Sequence, residues 1–308
     1  MIGTLGQSTI AHLKDKIRSY ASLVRFSHTV FAMPFAMASL ALAWPRHPVS
    51  PRALLWIVLA MVGARTAAMA FNRIADRKFD ARNPRTQSWE LPRGAVGVPE
   101  AVILTVLSSL LFVYAALQLS WLCFLLSPLA LLIVFFYSLT KRFTWAAHFF
   151  LGLALSIAPI GAWLAVAGAA MTWAELLTPL LLGLAVLFWL AGFDVIYALQ
   201  DREFDRTHGL HSIPVRFGIE RALRLSSCFH VVTVFFLGAV GLCAQTGAVY
   251  WLGFAAVAGV LFWEHRIITP NDLSRINKAF FDLNAYVSIG YFLATVVDRA
   301  IFSGGGSL

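Results

Sequence analysis

The stretch LAVLFWLAGFDVIYALQDREFD, residues 184–205, runs apolar as far as Leu199 with a single carboxylate, Asp194, and then turns acidic at Asp201 and Asp205. Asp194, Tyr197, Asp201 and Asp205 are three and four residues apart, so on a helix they stand one above another on one face. The same arrangement occurs at Asn72, Asp76 and Asp80, again where an apolar run gives way to polar sequence. Each set projects a ladder of oxygen ligands free of Cys and His, which suits a hard cation such as Mg²⁺. Two facing ladders would hold a metal-bound diphosphate. An isolated carboxylate inside a span, as Asp194 is, has to be paired or functional.

Working outward, apolar runs of this kind recur through the chain, which is 308 residues long, 59% hydrophobic and only 13% charged. A soluble domain carries about 25% charged residues. The runs are long enough to cross a hydrocarbon core as helices and do not alternate with period two, which excludes a β-barrel. The sequence predicts an all-α polytopic membrane protein with about nine transmembrane helices. They run from Thr29 to Trp44, Ala53 to Phe71, Ala101 to Leu119, Trp121 to Leu139, Trp145 to Val166, Leu176 to Leu199, Phe229 to Ala244, Val249 to Trp263 and Phe280 to Ile301. No linker divides the chain, so residues 1–308 form one membrane domain. Within it, 1–21 is an N-terminal segment, 72–99 and 201–227 are polar active-site loops, and 303–308 is a disordered tail.

The net charge of +9 is a matter of topology rather than of nucleic-acid binding. Of 24 Lys and Arg, 20 fall on the N-terminal side and 3 on the other, with Arg65 inside the second span. That skew puts the N-terminus and both ladders in the cytoplasm. Cys123, Cys228 and Cys243 form no CxxC pair and read as inert small hydrophobes. His28, His148, His208 and His211 make no metal set by spacing and read as interface or core histidines. A weak parallel repeat joins the halves: after Asp80 comes Leu91-Pro92-Arg93-Gly94, and after Asp205 come Ile213-Pro214 and Arg216-Phe217-Gly218.

Basic residues gather near the ladders as candidate diphosphate ligands. Arg73 and Arg77 share the first ladder's helix and fit either anion binding or positive-inside anchoring, while Arg85 lies in the following loop. Tyr137 and Lys141 are four apart at the end of the fourth span, and Arg142 follows. Basic donors there would neutralise phosphate oxygens left over by the metal. A cation-coupled transporter is the alternative from another class. Transporter sites lie near the midplane at broken helices, whereas these ladders sit at one face.

Together, Asn72-Arg-Ile-Ala-Asp76-Arg-Lys-Phe-Asp80, Asn83-Pro-Arg-Thr86, Tyr137-Ser-Leu-Thr-Lys141-Arg142 and Asp194-Val-Ile-Tyr197-Ala-Leu-Gln-Asp201-Arg-Glu-Phe-Asp205 resemble the UbiA superfamily of intramembrane prenyltransferases. The likeness runs from Arg25-Phe-Ser-His28-Thr29 to the last spans and is nearest the 4-hydroxybenzoate polyprenyltransferase-like branch. It implies nine helices around a central lipid-open cavity in a bacterial inner membrane, with a polyprenyl diphosphate and a small aromatic acid as substrates. A hydroxynaphthoate is the alternative acceptor. By position, Asn72, Asp76, Asp80, Asp201 and Asp205 would hold two Mg²⁺ ions, and Tyr137 and Lys141 would meet the leaving group. Arg142 and Asp194 would serve the acceptor or its activation. Gly209-Leu-His-Ser-Ile-Pro214 with Arg216-Phe-Gly218 is similar to a subgroup that includes the prenyltransferases of the futalosine menaquinone route. Two positions depart from the pattern: Arg73 stands where the family ladder usually has Asp, and Trp89 where that subgroup usually has Arg.

Overall fold

The computed structural model describes residues 16, 19–20, 22–24 and 29–302. The rest of the expected N-terminal segment, the Arg25–His28 stretch and the tail from 303 lie outside the described residues. The described chain is helical: α1 (Thr29–Ala43), α2 (Pro51–Asp80), α3 (Val98–Leu119), α4 (Trp121–Thr140), α5 (Ala147–Ala167), α6 (Trp173–Ala198), the short α7 (Arg202–Thr207), α8 (Ile213–Cys243), α9 (Ala248–Ile267) and α10 (Asn284–Phe302). Among these residues eight helical stretches are long and apolar enough to span a membrane, and Phe31–Ala43 is a shorter apolar helix.

Helix starts follow local chemistry. Ser50 caps α2 by accepting from the Ala53 N–H at 3.1 Å, Ser120 caps α4 in the same way, and Thr172 with Glu175 forms a capping box on α6. Helix ends do not follow apolarity. No Gly or Pro interrupts residues 72–80, so α2 continues through its ladder to Asp80. Its 30 residues make about 45 Å of helix against a hydrocarbon core of about 30 Å, so one end must project beyond it. Much of 201–227 is likewise helical: a single turn at Leu199–Asp201 leads into α7, and Ser212 and Pro214 start α8 well before its apolar portion.

Helices α1, α5, α6, α8, α9 and α10 pack in a closed series, and α2, α3 and α4 form a second group joined to it through α5. An aromatic core ties α1 to α6 and α10. Phe35 lies 4.9 Å from Trp189 and 5.4 Å from Tyr291, and Trp189 lies 4.8 Å from Phe193. Such pairs add about 0.5–1.5 kcal/mol each beyond area burial. Outward faces of α3, α4, α8 and α9 expose Leu110, Leu132, Phe235 and Leu252, a surface suited to lipid rather than water.

The internal repeat has a backbone counterpart. Gly94 and Gly218, which close the two Pro–basic–Gly segments, both take positive φ, 75° and 80°. At Gly218 ψ is 171°, a region essentially reserved for glycine, and α8 bends there. Gly218→Ala should therefore destabilise the protein by about 1–3 kcal/mol. Gly259→Ala, in the exposed interior of α9 with open space at its Cβ, should stabilise it by up to about 1 kcal/mol. Thermal unfolding in detergent should lower the first midpoint and raise the second.

Candidate active site

The ladders meet at one end of the bundle. Asn72 donates to Asp76 at 2.9 Å along α2. The loop after α2 then crosses to the second ladder. Asn83 accepts the Arg85 N–H at 2.9 Å on its side-chain oxygen, a local turn that directs Arg85 back over the site. The same Asn83 donates to Asp201 at 3.0 Å, and Thr86 closes the turn on the Asp80 carbonyl at 2.9 Å. Arg85 grips both oxygens of Asp201 through Nε and a terminal nitrogen, and donates to the Tyr197 hydroxyl at 3.1 Å.

Each ladder carboxylate faces a basic side chain. Asp201 has Arg85, Asp205 has Lys141 at 3.3 Å, Asp76 has Arg142 at 3.4 Å, and Asp80 has Arg73 at 3.9 Å. Lys141 caps the end of α4, and its carbonyl accepts the His211 N–H at 2.7 Å, which binds α4 to the turn after α7. Burial pushes the Lys141 ammonium down in pKa, but Asp205, Asp194 and Asp201 outweigh it and hold the group above the usual lysine value. Burial of Arg85 is likewise outweighed by Asp201.

Beneath this charged end lies a cavity of about 580 Å³ lined mainly by apolar side chains of α1 to α6. Its polar lining includes Asn72, Arg73, Arg85, Tyr137, Asp194 and Tyr197. Asp76, Asp80, Asp201, Asp205 and Lys141 are not among the lining residues; they form the charged mouth beside Asn72, Arg73, Arg85 and Tyr197. Arg77 is exposed and donates to the Ile74 carbonyl one turn back; it lines no part of the cavity. Arg142 also stays outside, with its guanidinium on the Ala75 carbonyl at 2.7 Å and on Asp76. Trp89 lines the wall between two arginines, 3.8 Å below the Arg73 guanidinium and 5.5 Å from that of Arg85.

Two residues here were not assigned from sequence. His148, fully buried on α5, lies with Nδ1 2.7 Å from Asp194, and its Nε2 accepts the Ile213 N–H at 3.2 Å. Because Nε2 accepts, the ring proton of the neutral imidazole sits on Nδ1 and is donated to Asp194. The histidine is a satisfied core residue, as its sequence context suggested, yet what it satisfies is the cavity's carboxylate. Arg65 lines the apolar part of the cavity. Seven residues before Asn72, it shares that face of α2 about 10 Å farther from the ladder end. A charged residue in phase with the ladder was the available signal.

The donor set fits a hard divalent cation. It is all oxygen, and the Oδ2 atom of Asp80 is buried without a hydrogen-bond partner, an acceptor that a cation would satisfy.

The UbiA prenyltransferase family profile matches residues 32–288. The chain is 30% identical over 293 residues to a 4-hydroxybenzoate octaprenyltransferase of Nitrosospira multiformis, covering 94% of this chain and 98% of that one. It is similar in structure to a UbiA homologue from Aeropyrum pernix K1, with a TM-score of 0.81 and 35% identity over 88% of this chain and 98% of that one. It also shares the fold of a UbiA homologue from Archaeoglobus fulgidus bound to DMAPP and Mg²⁺, with a TM-score of 0.64 at 20% identity over 91% and 99% of the two chains.

The raised pKa of Lys141 has a measurable consequence. With its folded value above the ordinary 10.5, the ion pair's stabilisation is whole below that pH and is lost as pH rises through the folded value. Lys141→Met should lower the unfolding midpoint by an amount that stays constant from about pH 7 to about pH 9. The gap to the wild type should close only above the ordinary lysine value.

Proposed function

The chain belongs to the UbiA prenyltransferase family, and from that premise we propose that it transfers a polyprenyl group from an allylic polyprenyl diphosphate to a 4-hydroxybenzoate-type aromatic acid at the cytoplasmic face of a bacterial inner membrane. The observation that carries this reading is the junction of a charge-balanced oxygen and cation cluster with an apolar cavity. One end suits a metal diphosphate and the other an isoprenoid chain. The names of the relatives, as 4-hydroxybenzoate octaprenyltransferases, support the choice of acceptor. The family sets aside the transporter alternative.

Asn72, Asp76, Asp80, Asp201 and Asp205 would hold two Mg²⁺ ions. When bound, the metal supplies Lewis-acid withdrawal of charge from the diphosphate. Arg85 and Lys141, which now rest on Asp201 and Asp205, are the cations positioned to transfer to phosphate oxygens as those carboxylates take metal. A diphosphate carried by divalent cations is close to neutral, so this exchange of partners leaves the site's charge balance intact. Arg73 and Tyr137, on the cavity wall, face the same end, and Arg142 holds Asp76 in register from outside.

The C1–O bond of the donor breaks with its electron pair leaving on diphosphate, stabilised by Lys141 and Arg85. A ring carbon of the acceptor attacks C1, and the proton on that carbon is then lost. Asp194 is the carboxylate on the cavity wall, and His148 fixes its orientation, so it is the base for that proton. The apolar lining keeps water from the allylic cation. Arg65, which lines the cavity, is assigned to pair with the acceptor's carboxylate in preference to Arg142, which does not line it. The prenyl tail favours the bilayer by about 0.8 kcal/mol per buried CH₂.

The test is product formation by purified protein in lipid, with Mg²⁺, a polyprenyl diphosphate and either 4-hydroxybenzoate or a hydroxynaphthoate. Prenylated 4-hydroxybenzoate that disappears with EDTA is the expected result; product from the naphthoate alone would move the acceptor assignment. Asp76→Asn and Asp201→Asn should each abolish turnover in folded protein, and normal rates in both would sink the metal assignment. Lys141→Ala should lower kcat by about 10²-fold. Arg65→Ala should raise KM for the acid by at least about tenfold while the donor KM changes little. The reverse pattern would remove Arg65 from the acceptor site.

A further inference from the structure

Away from the ladders, His230 on α8 and Glu264 and His265 in the last turn of α9 bring three ligand atoms within 4.8 Å of one another. His230 and Glu264 are buried and His265 is half-buried. From this geometry we infer a second metal site, one for a borderline transition ion of the Zn²⁺ class, built between α8 and α9.

The protonation pattern is set by what His230 meets on its far side. Its Nε2 lies 3.2 Å from the Trp189 carbonyl, which can only accept, so Nε2 carries the proton and Nδ1 presents a lone pair. That lone pair faces His265 Nε2 at 2.9 Å and Glu264 Oε2 at 3.4 Å. A proton on His265 satisfies the histidine pair but leaves Glu264 Oε2 without a donor, and this atom is buried without a hydrogen-bond partner. A cation at the centre satisfies all three at once. Zn²⁺ bonds of about 2.0–2.1 Å in a tetrahedron put neighbouring ligand atoms about 3.3 Å apart; the two pairs that include His230 lie at 2.9 and 3.4 Å, and the Glu264–His265 pair falls within 4.8 Å.

The surroundings hold these groups as outer-shell partners hold metal ligands. A Cβ on Gly192 would fall 2.3 Å from His230 Cδ2, so only glycine lets the ring seat against α6. Asn284 donates to Glu264 Oε1 at 3.3 Å and is itself fixed by the Trp189 indole N–H at 2.8 Å. Two imidazoles and one carboxylate favour Zn²⁺ over Mg²⁺, the opposite preference from the all-oxygen ladders. Half-buried His265 leaves a path to the fourth position. Asn284 also donates to the Ala279 carbonyl at 3.0 Å, in the π turn that carries Phe280 into the cavity wall, so a metal here would brace that wall.

Full-length protein in nanodiscs, stripped with EDTA and then given Zn²⁺ or Co²⁺ under excess Mg²⁺, tests the site by elemental analysis after gel filtration and by the visible ligand-field band of Co²⁺. The expected result is one Zn²⁺ per chain, retained when Asp76→Asn and Asp201→Asn are combined. Affinity should drop by at least about tenfold in Glu264→Gln and in His265→Leu, each with its helical content intact. His265→Leu, at the half-buried position, carries the test alone if Glu264→Gln does not fold. Absence of Zn²⁺ from the wild type, its retention by His265→Leu, or its loss with the ladder variants would each overturn the proposal.

Discussion

Four aspartates gathered at the end of an apolar bundle can be tolerated only if each meets a cation, and the polar end of this protein is arranged to meet that requirement. An Asp at the bilayer centre costs about 2.5–3.5 kcal/mol on insertion scales. The length of α2 moves its ladder toward water, and the partners do the rest. They come from four places: Arg73 on α2 itself, Arg85 from the loop beyond, Lys141 at the end of α4 and Arg142 after it. Closing those pairs folds the Asn83–Arg85 turn across to Asp201 and draws the turn at His211 onto Lys141. The charged mouth therefore organises the connections that a membrane alone would leave unconstrained.

Much of this was legible because it is periodic. Residues four apart on one helix face declare themselves in any sequence, and so do apolar runs of span length. The parallel repeat placed both ladders at one end, and Asn83 joins them there. What was illegible depends on which helix lies beside which. His148 is one of several isolated histidines in the sequence. Its role appears only when α5 packs on α6 and the start of α8, bringing Asp194 to one ring nitrogen and the Ile213 N–H to the other. Apolar runs likewise mark where lipid begins, not where helices end. Residues 72–80, with good helix formers and no breaker, stay helical beyond the apolar stretch.

The two positions at which this chain differs from the pattern it resembles are neighbours in the fold. Arg73, in place of an acid, and Trp89, in place of an arginine, are in contact: the guanidinium lies 3.8 Å from the ring centroid. Arg73 is buried, donates to the Leu23 carbonyl at 3.4 Å and faces Asp80, so its position is set from three sides. A flat aromatic surface is what a buried guanidinium can use on its remaining face, because it is weakly hydrated and stacks well. An acid at position 73 would bring a fifth carboxylate into a mouth already holding four and remove one of its four cations, and an arginine at 89 would replace only the lost cation. With arginine at 73, the cation reaches the mouth from the helix, and the loop position is free to supply the ring that holds it. The positive charge reaches the mouth from the helix rather than from the loop, and with no acid at position 73 four cations face four carboxylates.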